Sequence, residues 1–285
     1  MELGANLLPL VGNLVNRQDP AGEQRRHLQA SRVLIQEYGL GAIELTGDFP
    51  AIYPEVMNRS FYEEMARLQE ELGFKCTVHL PFLWLDLGSL NEAIREASVS
   101  CTLAVVEAMA PLTVELYVAH LWGLWSKAVV EEIPPEGQAA VYKALITQAT
   151  RSIEDLKRFV PPERLCIENL TPTPLDTLLE LARSQGVRLC LDVGHLASRG
   201  EDPEEAILES RDVLAHVHLH DVLRRQRADG TWENWDHLGL GRGGVDYPRV
   251  VEALRRGGFA GAIILEHSAR EDLEASVNAL RAYLP

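Results

Sequence analysis

The stretch LCLDVGHLASRG, residues 189–200, closes an apolar run with Asp192 and His195 three positions apart. A carboxylate and an imidazole so placed either brace a turn or hold a ligand. Polar residues also close seven other apolar runs: Asn6, Glu44, His79, His120, Glu168, His218 and Glu266. Side chains alternate across a strand, so Glu168 shares a face with Cys166, Asp192 with Cys190, and Glu266 with Ile264. The apolar partner then forms one layer of an interior and the polar residue the layer above it. His216, His218 and His220 share a face in the same way. One inward acid at a strand end is commonly structural, but three carboxylates and three imidazoles at one rim are another matter. Without a cation among them, the acids would take up protons or bear a large desolvation cost. Imidazole with carboxylate is a ligand set for zinc, manganese, iron or cobalt, and carboxylate-rich versions admit magnesium.

Eight apolar or β-branched runs carry these residues: 3–8, 41–46, 74–80, 114–121, 164–169, 187–192, 214–220 and 261–267. Amphipathic stretches with helix-boundary signals lie between them. Ser89 with Glu92 three residues on reads as a capping box for the helix that follows. Thr173-Pro174 opens a helix that Gly186 closes, and Asp202-Pro203 opens another. Strands alternating with helices predict parallel strands and crossover helices, and eight such units predict a (β/α)8 barrel in a single domain over residues 1–285. No GxGxxG motif follows the first strand, which removes the simplest dinucleotide-binding alternative. Barrels of this kind work at the C-terminal ends of their strands, where the residues above stand.

The composition suits this reading. The chain has 285 residues, 46% hydrophobic and 24% charged, with a formal net charge of -15. So acidic a surface repels long DNA or RNA, though not a small ligand bound beside metal. No apolar run spans a membrane, and the start MELGANLLPLVGN lacks the marks of a signal peptide, so a cytoplasmic protein is expected. The cysteines Cys76, Cys101, Cys166 and Cys190 show no CxxC spacing and read as small buried hydrophobes. Five tryptophans, Trp84, Trp122, Trp125, Trp232 and Trp235, fall in loops after strand ends. They either cap the barrel, bury an interface, or offer an aromatic surface to a large flat ligand.

CIENLTPTPLDTLLEL, LCLDVGHLASRGEDP, HVHLHD, DHLGLGRGGVDY and GAIILEH together resemble the xylose isomerase-like TIM barrel superfamily, which includes sugar isomerases, keto-sugar epimerases and endonuclease IV. The resemblance implies shared metal ligands at Glu168, Asp192, His218 and Glu266, with His195 a substrate contact or a further ligand. It also implies that Glu168 and Glu266 act as the acid/base pair of an isomerase or epimerase holding one manganese, magnesium or cobalt ion. Arg224, six after His218, matches an epimerase substrate contact.

The phosphodiesterase branch builds a cluster of two or more zinc ions with extra histidines after strands 3 and 4, where this chain has His79 and His120. Their alternative is a pair of hydrogen-bonded barrel histidines. That branch also has Asp-x-His after strand 7, whereas Asp236 and His237 are adjacent here, which puts a third metal in doubt. The stretch from CTVHLPFLWLDL to VELYVAHL is most similar to cobamide-remodelling phosphodiesterases. The expectation is therefore a metal-dependent hydrolase of a phosphodiester in a bulky ligand, the nucleotide loop of a corrinoid, with a sugar or sugar-phosphate isomerase or epimerase as the alternative. Glu168 and Glu266 would be catalytic. His79, His120, Glu168, Asp192, His195, His218 and Glu266 would hold metal. Arg224, His237, Arg242, Trp84 and Trp122 would meet substrate. Arg242 stands in the glycine-rich GLGRGG, which is otherwise a plain turn into a helix. Oligomeric state is left open.

Overall fold

The computed structural model describes every residue except 124, 125, 127–129, 131, 171, 172, 284 and 285. Trp125 thus lies outside the described residues. Eight parallel strands close into a barrel: β1 (Glu2–Asn6), β2 (Ala42–Thr46), β3 (Lys75–His79), β4 (Val114–Ala119), β5 (Leu165–Glu168), β6 (Arg188–Asp192), β7 (Leu214–Leu219) and β10 (Ala262–Leu265). Strand β10 pairs with both β7 and β1, so no edge is left unpaired. The expected eight runs are the eight barrel strands.

The interior layers follow the predicted alternation. Val118, Cys166 and Cys190 pack together on one side of the barrel's interior, and Ala42, Ala262 and Ile264 on the other. Burial pushes the thiols of Cys166 and Cys190 up, so they remain neutral packing groups. A far larger apolar cluster fills the space between the strands' outer faces and the surrounding helices, including Leu165, Ile167, Leu189, Leu191 and Leu265. Residues alternate strictly between the two cores, so a polar side chain at a strand's end has an inward direction set for it.

Local chemistry sets the helix ends. Asp202 caps the helix Pro203–Ser210 through the N–H of Glu204, and Gly186, at φ 68, ends Leu175–Gln185. The capping box at Ser89 does not form. Asn91 caps the helix Glu92–Ala108 by accepting from the N–H of Ala93, while Ser89 Oγ accepts from the N–H of Asn91. Glu92 turns outward to Arg95 and Arg151 instead.

Directly after β7, strands β8 (Asp221–Gln226) and β9 (Trp232–Leu238) form an antiparallel hairpin that stands apart from the barrel sheet. Its base is anchored by the buried Asp221 carboxylate, which accepts from the backbone N–H groups of Val222, Gly241, Gly243 and Val245. No helix among the described residues is long and apolar enough to cross a membrane.

Candidate metal centre

Glu168, the last residue of β5, is the hub of the barrel mouth. Its Oε2 lies 3.2 Å from His120 Nε2, 3.3 Å from His79 Nε2 and 3.6 Å from His218 Nδ1. Glu266, one residue beyond β10, brings Oε2 to 3.3 Å from the same His218 Nδ1. Register explains the meeting: Asp192 stands beside His218 across β6 and β7, and His218 beside Ile264 across β7 and β10. Burial alone would raise the Glu168 carboxyl, but His120 and His218 outweigh it and hold the group well below the usual carboxylate range.

Hydrogen bonds to backbone carbonyls fix the ring tautomers of His79 and His195. His79 turns Nε2 to the centre, whereas at His195 it is Nδ1 that lies toward the carboxylates, 3.6 Å from Glu168 Oε1 and 3.8 Å from Asp192 Oδ2. His79 Nδ1 lies 3.0 Å from the carbonyl of Leu80, and His195 Nδ1 3.0 Å from that of Asn169. A carbonyl only accepts, so each Nδ1 carries the proton and each neutral ring leaves its Nε2 with a bare lone pair. For His79 that lone pair meets the Glu168 carboxylate, a repulsive contact unless a proton or a metal cation stands between them. In the metal-free chain the proton does so: burial lowers the His79 pKa, but Glu168 and Glu44 more than reverse this and raise it to about 9. Asp192 Oδ1 caps the helix Val193–Arg199 through the N–H of His195 at 2.6 Å, whereas its buried Oδ2 has no hydrogen-bond partner. His218 Nδ1 is likewise buried without a hydrogen-bond partner.

These orphaned donor atoms are what a divalent cation would satisfy. Glu168, Asp192, His218 and Glu266 place one ligand atom each within 4.8 Å of one another, and His79, His120 and Glu168 do the same beside them. Asp192, His195 and His220 make a third such group. His220 Nδ1 lies 2.9 Å from the N–H of His237 and 3.3 Å from the carbonyl of Asp221, and its buried Nε2 faces Asp192 Oδ1 at 3.3 Å without a hydrogen bond. A deeper group, Cys190, His216 and His218, is discounted because the thiol is held neutral and His216 turns to a carboxylate.

That carboxylate is Glu44 of β2. It is buried, accepts from Thr77 Oγ1 at 2.9 Å, and contacts His216 Nε2 at 2.8 Å and His218 Nε2 at 3.0 Å. A carboxylate behind the far nitrogen of a ligating histidine fixes the ring's tautomer and orientation. Glu44 closes a strand in the sequence without an expected role, His220 is expected there only as one of three inward imidazoles, and Asn169, whose side chain brackets the Asp192 backbone, is not singled out at all. Only the barrel's closure brings β2 across from β7.

The seven residues expected to hold metal do converge, and the other expected contacts divide. His237 reaches the centre, with Nε2 at 3.9 Å from Glu266 Oε2 and its ring stacked on His220 at 4.2 Å. Its φ of 55° is the one left-handed backbone angle at a non-glycine among the described residues, and it lets the adjacent Asp236 and His237 both face the mouth. Trp122 is buried and lines the mouth. Trp84, 74% exposed, belongs to a separate surface groove. The guanidinium of Arg224 stacks on Trp232 at 3.9 Å, and that of Arg242 pairs with Asp272 at 2.6 Å. Trp84, Arg224 and Arg242 line neither mouth cavity, because nearer partners hold the two guanidinium groups and the loop turns the indole outward.

The mouth comprises two cavities that share Phe82, His237 and Glu266. One, about 300 Å³, lies over β1 to β3; the other, about 400 Å³, lies over β4 to β6 and the hairpin. Among the described residues that line them, Arg199 is the only arginine or lysine, and it pairs with Glu201 at 2.7 Å.

A sequence profile described as the xylose isomerase-like TIM barrel matches residues 33–283. The chain belongs to this family. An uncharacterised protein of Methanocaldococcus jannaschii is 25% identical over 226 residues, covering 77% of this chain and 73% of that one. Inosose dehydratase of Lacticaseibacillus casei is 33% identical over 108 residues, 34% of this chain and 35% of the enzyme. Among solved structures, a D-tagatose 3-epimerase-like protein superposes with a TM-score of 0.70 at 22% identity, covering 99% of this chain and 97% of that one. The 3-keto-D-glucoside 4-epimerase of E. coli does so with 0.66 at 17% identity, covering 98% and 97%. At these identities the superpositions establish the shared barrel.

Proposed function

We propose that this barrel is a divalent-metal-dependent isomerase or epimerase of a small keto-sugar or related cyclic polyol ketone. This reverses the order of the two expectations drawn from the sequence. The observation that carries it is the placement of two carboxylates, Glu168 and Glu266, on His218 Nδ1 from different strands, within a mouth that offers a single, already paired arginine among its described residues. Two acids flanking one point suit removal of a proton from carbon and its return, and so few cations suit an uncharged substrate. The similarity to inosose dehydratase and to sugar epimerases supports the same reading.

Glu168, Asp192, His218 and Glu266 would hold one manganese, magnesium or cobalt ion, which supplies polarisation of the substrate carbonyl. The chain's own groups do the rest. One carboxylate takes the proton from the carbon beside the carbonyl, and the C–H electron pair passes into the adjoining bond. The other, entering the step as its carboxylic acid, delivers its proton to the opposite face, so the number of protons on the substrate and on the pair of carboxyl groups is unchanged. His195, oriented by the Asn169 carbonyl, presents Nε2 to a substrate oxygen. The apolar wall at Phe82 and Trp122 limits water around the exposed carbanion-like centre.

The test is incubation of the manganese- or cobalt-loaded protein with D-tagatose, D-fructose and L-ribulose in D2O. A new epimer or aldose, with solvent deuterium at the carbon beside the carbonyl, is the expected result. No product and no exchange with any of them, alongside cleavage of adenosylcobalamin, would reverse the assignment.

A second reading, hydrolysis of a phosphodiester such as that of a corrinoid nucleotide loop, is favoured by one observation. His79, His120 and Glu168 form a second donor set that shares Glu168 with the first, as paired-metal hydrolytic sites require. Two or more zinc ions per chain would support it. His79→Ala and His120→Ala separate the two: an epimerase needing one ion keeps activity within about tenfold in both, whereas paired-metal hydrolysis loses about 100-fold or more, as loss of metal-site support does.

A further inference from the structure

The smaller mouth cavity contains polar groups that the metal centre does not use. Asp48 opens a short helix after β2 and is 5% exposed, and Asn6 ends β1 and is 7% exposed. Asp48 Oδ1 accepts from the backbone N–H groups of Phe82 and Leu83, at 3.2 Å and 3.0 Å, and so clamps the loop after β3. Its Oδ2 is buried with no hydrogen-bond partner, and Asn6 Oδ1 is in the same state. Both residues line the cavity, whose remaining wall includes Phe49, Leu8 and Thr46. His79 and Glu266 line it too, so it opens directly onto the centre.

We propose that this cavity is a recognition subsite for the hydroxyl groups at the end of the substrate remote from the reacting carbonyl, with Asp48 Oδ2 and Asn6 Oδ1 as the two acceptors. The inference rests on the reading of a polyhydroxylated substrate and adds the residues that select it. A buried acceptor with no donor is destabilising, more so when charged, and a ligand hydroxyl returns that energy on binding. Burial raises the Asp48 carboxyl, and the Leu83 and Phe82 N–H groups only partly offset this, so the carboxylate gains from any donor brought to it. The apolar wall opposite suits the C–H face of a sugar or cyclitol. Sites built this way reject analogues lacking the hydroxyl far more strongly than sites that merely enclose it. Phosphate at the remote end is excluded on the same ground, because two acceptors repel it and no arginine or lysine among the described residues lines this cavity.

The experiment uses myo-inositol and D-arabinitol, which carry hydroxyls but no carbonyl, titrated calorimetrically into the magnesium-loaded full chain. Saturable binding of at least one is expected, with a dissociation constant in the millimolar range or tighter. Asp48→Asn keeps the oxygen that clamps the loop and turns the other acceptor into a donor. It should weaken binding at least tenfold with metal content and melting temperature unchanged. Asn6→Ala makes an independent second test and should weaken binding about fivefold or more. Absence of saturable binding to the unaltered protein, or equal binding by both variants, overturns the subsite. Polyol binding without turnover of any keto-sugar would instead overturn the proposed reaction and leave the subsite standing.

Discussion

The floor of the barrel mouth and the hairpin at its rim are built on different principles. On the floor, buried Glu44, Glu168, Asp192 and His218 sit at or near strand ends, and each is held by a partner from another strand. On the rim, Trp232 and Trp235 are half-exposed, and the guanidinium of Arg224 rests on Trp232 rather than on anything in the mouth. Closure of the barrel makes the floor rigid, whereas the hairpin is tied down chiefly at its base by Asp221. Chemistry that needs sub-ångström placement belongs on the first, and contacts that vary with substrate belong on the second.

Four measurements would sharpen or break this contrast. Glu266→Gln removes a proton acceptor while keeping shape, and turnover is expected to fall about 10²–10⁴-fold with the fold intact. A loss below tenfold would place the acid/base work elsewhere. Glu44 stands outside the proposed donor set, yet with Glu44→Gln metal affinity should drop about 10–100-fold, because His218 loses the carboxylate that orients it. Unchanged affinity in a metal titration would show that packing alone holds the ring.

The third measurement concerns pH. Burial lowers the pKa of His237, but the hydrogen bond its ring donates to Asp236 and the charges of Glu266 and Asp192 reverse this and raise it to about 9. A raised folded-state pKa gives stability that is fully present below about 6.5 and is lost as pH climbs through about 9. Melting curves of the chelated protein should therefore show unaltered chain and His237→Gln converging between pH 6.5 and 9.5. Divergence with rising pH would contradict the pairing. The smallest effect belongs to the rim: Arg224→Ala should cost about 0.5–1 kcal/mol by chemical denaturation, the worth of an exposed cation–π contact. A loss of several kcal/mol would mean that the hairpin is as tightly built as the floor.

The contrast also explains what could be read in advance. The barrel strands are largely buried on both faces, so apolar residues dominate their runs and the polar residues near their C-terminal ends stand out. Strand β9, WENWDHL, has neither face buried, and Trp232, Glu233, Asn234 and Trp235 show no alternation of apolar with polar. Without a buried face there is no period to detect, and the hairpin passes as loop. Ser89 and Asn91 are both competent caps, and which one is used depends on where the chain leaves the loop after β3. Arg224 and Arg242 stand at plausible distances along the chain from His218, but Trp232 and Asp272 reach them first.

Residue type and strand period were enough to determine that this chain closes a barrel and carries carboxylates and imidazoles at one end of it. Both follow from rules that act over a few residues. That His195 turns Nδ1 to the Asn169 carbonyl, that Glu44 stands behind His218, and that Asp48 and Asn6 share one cavity were decided by tertiary structure alone. Those contacts join residues far apart in the chain, and only the closure of the barrel sets the distance between them.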